Sequence, residues 1–311
     1  MRRPVSVDLA NFCMLYSDAD VARMLTALSK DLGSVARAVV PVVRTDCGPE
    51  VLTDALSWAR QHGTGICIRA VGLTRLDHAS SAVQLLLDQA KLSPLQIDFV
   101  TDAQDLPRIV SHSEMRSAFT LASFARSWSH LAGSFPRAIT HLKVDDYEHT
   151  LERPEWEVWV EEVSNDEIGR APDYGDYATQ SPIYSLSPGF GGSPTVRYTT
   201  DNHFVVLRGR GGSPGKSTDF SQYVGHARYL KRSAYFRSQV DTLGDDYVDR
   251  IATGMHKTGN LETWRVASFQ RHVTLAASQV ATLSMVVSQR NSGVSAQRLS
   301  AQVEASFKSA D

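Results

Sequence analysis

Cysteine is scarce in this chain of 311 residues. It has three, Cys13, Cys47 and Cys67, with an odd count, irregular spacing and no CxxC pair. That argues against a disulfide framework or a zinc ribbon and fits a reducing cytosol. No apolar stretch follows Met1-Arg2-Arg3, so no signal peptide is expected. The longest apolar region, Val273–Val287, is interrupted by Ser278, Gln279 and Ser284, too short and too polar to span a bilayer. Net charge is only −2, so no global polycation field recruits nucleic acid or anionic lipid. These absences point to a soluble cytoplasmic protein without membrane attachment and without a strong nucleic-acid signal.

Familiar catalytic signatures are missing too. There is no Gly-x-Ser-x-Gly elbow. The loop Gly209–Lys216 leads into Ser217 like a phosphate-binding loop, but Arg210 stands where that pattern requires its first glycine. His141, Asp145, Asp146 and His149 lie at short range, yet a polar surface segment explains them more simply than a metal site. No metal is assigned, and the sequence names no cofactor.

What is present is an alternation of strand and helix signals. Strands are read at Val5–Leu9, Ala38–Val43, Gly65–Val71, Leu95–Val100 and Ser117–Ala122. Helices are read after the Ser17–Asp20 capping signal (Val21–Leu32), from Pro49 to Gly63, and over His78–Ala90, Asp105–Glu114 and Phe124–Ala132. This rhythm implies a parallel sheet, either an open doubly wound one or a barrel. Further strands at Glu157–Glu161, Thr195–Thr199 and Phe204–Arg208 favour an α/β fold of irregular TIM-like (β/α) barrel type. The last two, four residues apart, suit a hairpin rather than a crossover. Gly/Ser/Pro loops at Ser187–Pro194 and Gly209–Lys216 flank it. Beyond them come a helix through Phe220, Tyr223, Val224, Ala227 and Leu230, a second over Asp245–Gly254, and a long one over Glu262–Arg290. Long terminal helices cover a barrel or make an oligomer contact. The expectation is one domain over 1–311, with barrel about 1–210 and helical part about 218–311.

Charge is unevenly distributed. Asp145–Asp176 holds 12 acids against 2 arginines, and His203–Arg237 holds 7 Lys/Arg against one Asp. Two solvated faces, or a basic mouth beside an acidic wall, both account for this. Arginines next to apolar strands, namely Arg44, Arg69, Arg153, Arg197 and Arg208, need partners if buried. Ion pairs with Asp98, Glu155 or Asp176 would serve, and so would a converging site for a carboxylate or phosphate.

Certain blocks recur in a recognisable order: Cys67-Ile68-Arg69, Gly133–Pro136, Arg153–Trp156, Gly175-Asp176-Tyr177, Arg197-Tyr198-Thr199, Asn260, Trp264-Arg265 and Arg271–Thr274. Together they resemble the prophage-associated "beta protein" family. The resemblance implies a TIM-type barrel and a role in phage–host conflict, without naming a reaction. The chain departs from the pattern where relatives carry paired histidines, since it has Arg271-His272.

Two functions are carried as expectations. One is a barrel hydrolase or phosphodiesterase acting on a small phosphorylated or nucleotide-like ligand. Asp98, Glu155, Asp176 and His272 would supply acid/base groups. Arg69, Arg153, Tyr177, Arg197, Tyr198, Trp264 and Arg265 would bind the small anionic ligand. The other is a non-enzymatic sensor or partner subunit of a defence complex, built on a protein partner or homo-oligomer contact. The blander alternative is that Trp156, Tyr177 and Trp264 are core aromatics with charges pairing around them.

Overall fold

A computed structural model of the chain describes residues 5–8, 17, 24, 39–45, 47–71, 88, 91–105, 125–164, 171–183, 192–212 and 216–291. Apart from isolated positions, the expected helices at Val21–Leu32, His78–Ala90 and Asp105–Glu114, the strand Ser117–Ala122, most of the loop Ser187–Pro194, and Cys13 lie outside these residues. The chain divides into two compact units. The first comprises Met1–Gly133, Val158–Asp176 and Pro182–Tyr184, the second Ser134–Glu157, Tyr177–Ser181 and Ser185–Asp311.

The first unit is built on six parallel strands: β1 (Val5–Val7), β2 (Val39–Arg44), β3 (Ile66–Val71), β4 (Ile97–Asp105), β5 (Ser127–Gly133) and β7 (Asp173–Asp176). They lie side by side in chain order. A doubly wound sheet would reverse its order at a switch point, and this one does not. The curled sheet has the progression of a barrel wall. Among the described residues, however, no pairing closes β1 onto β7. The architecture is therefore mixed α/β with a half-barrel sheet.

In-register neighbours share a face of the sheet. Ile68, Phe99 and Trp128 align across β3, β4 and β5 and are fully buried, with Thr101 and His130 continuing their row. Helix α1 (Pro49–His62) has Pro at its start, where a missing N–H costs nothing. It ends at Gly63, whose φ of 67° suits a left-handed cap, and whose N–H reaches the Ala59 carbonyl. Leu52, Ala55, Leu56 and Ala59 form its buried stripe, and Trp58 Nε1 donates to the Val39 carbonyl at 3.1 Å.

Two readings from the sequence need correction. Phe124–Ala132 is not a helix; it contributes β5. Trp128, His130 and Ala132 are buried while Ser127, Ser129 and Leu131 are less so, which is the two-residue period of a strand. Glu157–Glu161 is not a strand; it lies in helix α2 (Pro154–Val163). Pro154 at the first helical position and Glu155 and Glu157 in the first turn favour helix there.

The second unit holds a three-stranded antiparallel sheet of β6 (Glu148–Glu152), β9 (His203–Arg208) and β8 (Thr195–Thr199). The β8–β9 hairpin is present as expected, but in this separate sheet rather than in a barrel wall. Helices α3 (Gln222–Arg232), α4 (Leu243–Ala252) and α5 (Leu261–Asn291) complete the unit. Its main core joins Tyr198, Leu207, Tyr223, Leu230, Ile251 and Trp264. Burying each such side chain contributes about 1.5–3 kcal/mol. Helix α4 starts with a capping box in which Thr242 and Asp245 exchange side-chain and backbone bonds. A Cβ on Gly244 would lie 2.3 Å from the Ala267 carbonyl oxygen, so glycine permits the close approach of α4 to α5. No helix among the described residues is long and apolar enough to cross a membrane.

Candidate functional site

In the first unit, Arg69 and Asp98 share the face opposite the buried Ile68–Phe99–Trp128 row. Arg69 Nε and Nη2 both donate to Asp102 Oδ2, at 2.9 and 2.5 Å, and Nη1 donates to Asp8. Its guanidinium is thereby engaged by two carboxylates. Asp102 Oδ1 also accepts the Gln104 N–H at 2.8 Å, across a β-bulge where Gln104 takes a φ of 55°. Asp98 accepts a two-pronged bond from Arg126, at 2.9 and 2.5 Å, and a third from Ser127 Oγ at 2.6 Å. Burial alone would raise its pKa, but the Arg126 and Ser127 bonds outweigh that and hold it below the usual carboxylate value. Burial pushes the neighbouring Cys67 thiol up to about 12, so it is inert as a nucleophile. Asp176 accepts from the Tyr174 hydroxyl at 2.5 Å.

In the second unit, several expected site residues serve the core. Arg153 is fully buried and donates from Nη1 to the carbonyls of Thr200 and Asp201, at 3.0 and 2.9 Å. Glu155 is also buried, in the first turn of α2. Tyr198 donates to Asp245 and lies beneath the guanidinium of Arg271, 4.9 Å from the ring centroid. His272 Nδ1 is 3.1 Å from Thr199 Oγ1, and its ring stacks on Phe204. Trp264 stacks on Tyr223 and donates to the Thr258 carbonyl. The aromatics and charges around Arg271 therefore form a hydrogen-bonded interior network.

Arg197 is different. It leaves β8 with its guanidinium 4.4 Å from the centroid of Phe135. Nη1 donates to the Thr179 carbonyl at 2.5 Å and Gln180 Oε1 at 3.3 Å. Both acceptors belong to a turn that begins at Tyr177, whose carbonyl takes the Gln180 N–H, and that is bent by Ala178 at a φ of 51°. Tyr177 thus shapes the wall that holds Arg197. Among the described residues Arg197 has no carboxylate partner, and Arg265, exposed on α5, has none either. Burial, and next the charge of nearby Arg265, push the Arg197 pKa down to about 10.

Tyr223 completes the group. It is fully buried on α3, and its hydroxyl proton finds no acceptor among the described residues. Burial lifts its pKa to about 12, while the Thr195 backbone N–H and then the charges of Arg265 and Arg197 pull against that rise. Three donors therefore lie within electrostatic reach of one another, with no acceptor of full charge. Such an arrangement suits an anion, since guanidinium forks and a phenol match carboxylate or phosphate oxygens. The sequence reading used Tyr223 only as a core position of its helix. Its polar end was not legible, because a helical stripe locates the ring but not an orphaned hydroxyl.

Among the described residues no three His, Cys, Asp or Glu side chains gather to hold a metal. A model of the beta protein family matches residues 1–278. The chain belongs to the beta protein family. The match runs from the half-barrel sheet through the hairpin and into α5, so this beta protein carries Arg69, Arg197, Tyr223 and Arg265 all within the family region. No curated protein and no solved structure matches the chain.

Proposed function

We propose that this beta protein binds a small phosphate- or carboxylate-bearing ligand in its second unit, through Arg197, Tyr223 and Arg265. The observation that carries the reading is the buried Tyr223 hydroxyl, without an acceptor among the described residues, beside two arginines that have no carboxylate partner among them. Leaving the buried Tyr223 hydroxyl unmatched costs about 1–3 kcal/mol, and a bound anion recovers that cost. Phe135 under the guanidinium fixes its plane and leaves its edge for the ligand.

The setting proposed for it is phage–host conflict, with the ligand a phosphorylated or nucleotide-like molecule. A thermal-shift series with inorganic phosphate, AMP and citrate at constant ionic strength tests the binding. The reading predicts a midpoint that rises with ligand concentration as mass action requires. An unchanged midpoint with all three probes overturns it.

A further inference from the structure

Helix α5 is apolar on two opposite sides. Its core side is formed by Trp264, Ala267, Ser268, Arg271 and Leu275, all buried. On the other side Val266, Phe269 and Val273 stand 51%, 54% and 44% exposed. Between Val266 and Val287 the only ionisable side chains are Arg271 and His272, and both face the core. A surface helix ordinarily carries charge on its solvent side, and from Val266 to Leu283 this one carries none there.

The second row has a period of its own. Valine occurs at 266, 273, 280 and 287, every seventh residue, and Phe269 and Leu283 stand three positions after the first and third, with the small, buried Ala276 at the equivalent place between them. This is the heptad pattern of helix-to-helix pairing, and β-branched residues at its first position favour two strands. Beside the row, between α4 and α5, runs an open groove of about 390 Å³ whose lining includes Leu243, Arg250, Glu262 and Val266. Arg250 and Glu262 form no ion pair within the chain among the described residues. In a two-fold pairing Arg250 of one copy would face Glu262 of the other, the relation an isologous interface requires.

We propose that the occupant of this face is a second copy of the chain, its α5 packed against the first along the Val266–Phe269–Val273–Val280 row. The pairing does not depend on the anion site and stands or falls separately from it.

Light scattering coupled to size exclusion, from about 1 to about 100 µM, reads the mass directly. The wild type is expected at twice 34.2 kDa, and Phe269→Glu with Val273→Glu at the monomer mass with unchanged far-UV circular dichroism. Should that variant misfold, Val273→Cys gives a second reading: a disulfide-linked dimer on mild oxidation, absent for Arg228→Cys on α3. A wild-type monomer throughout, a dimer indifferent to both glutamates in a folded variant, or equal cross-linking at both cysteines overturns the proposal. A monomer that pairs only with a different protein does so too.

Discussion

The Tyr198 hydroxyl donates to Asp245 Oδ1 at 2.7 Å, joining the middle of a β-hairpin to the first turn of a helix 47 residues later. The other oxygen of Asp245 accepts from the Thr242 N–H, the Thr242 hydroxyl and Arg271 Nη1, at 3.0, 2.8 and 3.2 Å. Arg271 in turn donates to the carbonyls of Thr199, Val240 and Ser238. Asp245 is thus cap, counter-ion and hairpin anchor together.

Tyr198→Phe should therefore cost about 1.5–3 kcal/mol, the value of a buried bond to a charged group. Asp245→Ala should cost more, about 3–5 kcal/mol, because Arg271 would be left buried and uncompensated. Urea unfolding at neutral pH measures both. Equal effects from the two substitutions would contradict the central role given to Asp245.

Gly244→Ala is expected to destabilise by about 1–3 kcal/mol, since α4 must move off the Ala267 carbonyl to admit a methyl group. A thermal melt detects this as a fall of several degrees. Gly225 in α3, where a Cβ would lie 3.6 Å from the Tyr147 hydroxyl, an ordinary contact, is the control for crowding.

Acid should weaken both units. His130 in the first and His226 in the second are buried, and burial, the largest cause at each, depresses their pKa values from 6.5 to about 4. A base depressed on folding takes up its proton more readily when unfolded. Its contribution is therefore complete above about pH 6.5 and falls as pH drops towards 4, by up to about 1.4 kcal/mol per pH unit per group. His226 holds the Tyr147 hydroxyl and the Pro194 carbonyl through its two ring nitrogens, at 2.9 and 3.1 Å. Urea midpoints at pH 7 and pH 5 should differ in the wild type. Flat stability over that range would contradict the assignment of both rings as neutral in the folded chain.

Sequence periodicity located the strands at β2, β3, β4, β8 and β9 and the long terminal helix, because those segments have one clean period each. It misread Ser127–Gly133 because His130 and the serines obscure the alternation of buried Trp128 and Ala132. It misread Pro154–Val163 because Glu-Val-Trp-Val-Glu alternates like a strand while Pro154 starts a helix. Arginine partners were legible only as a need for counter-charges. The sequence reading paired them with Asp98, Glu155 or Asp176, whereas Arg69 takes Asp8 and Asp102, and Asp98 takes Arg126. Pairings at separations of 28 to 61 residues follow from sheet register, which a single chain does not spell out. Arg197 and Arg265 were already candidates in the sequence, but Tyr223 between core aromatics was not.

Tyr223→Phe separates binding from folding. Removing a buried hydroxyl that has no acceptor should leave stability unchanged or slightly higher, and should weaken anion binding by a factor of about 5–10, one hydrogen bond's worth. A large loss of stability would mean the hydroxyl is satisfied internally.

The most direct test is calorimetric titration of the wild type, Arg197→Gln and Tyr223→Phe with inorganic phosphate and AMP. Saturable heat in the wild type, reduced in Tyr223→Phe and lost in a folded Arg197→Gln, is the predicted result. Identical isotherms for wild type and Arg197→Gln, or no heat in any of the three, would contradict the anion site.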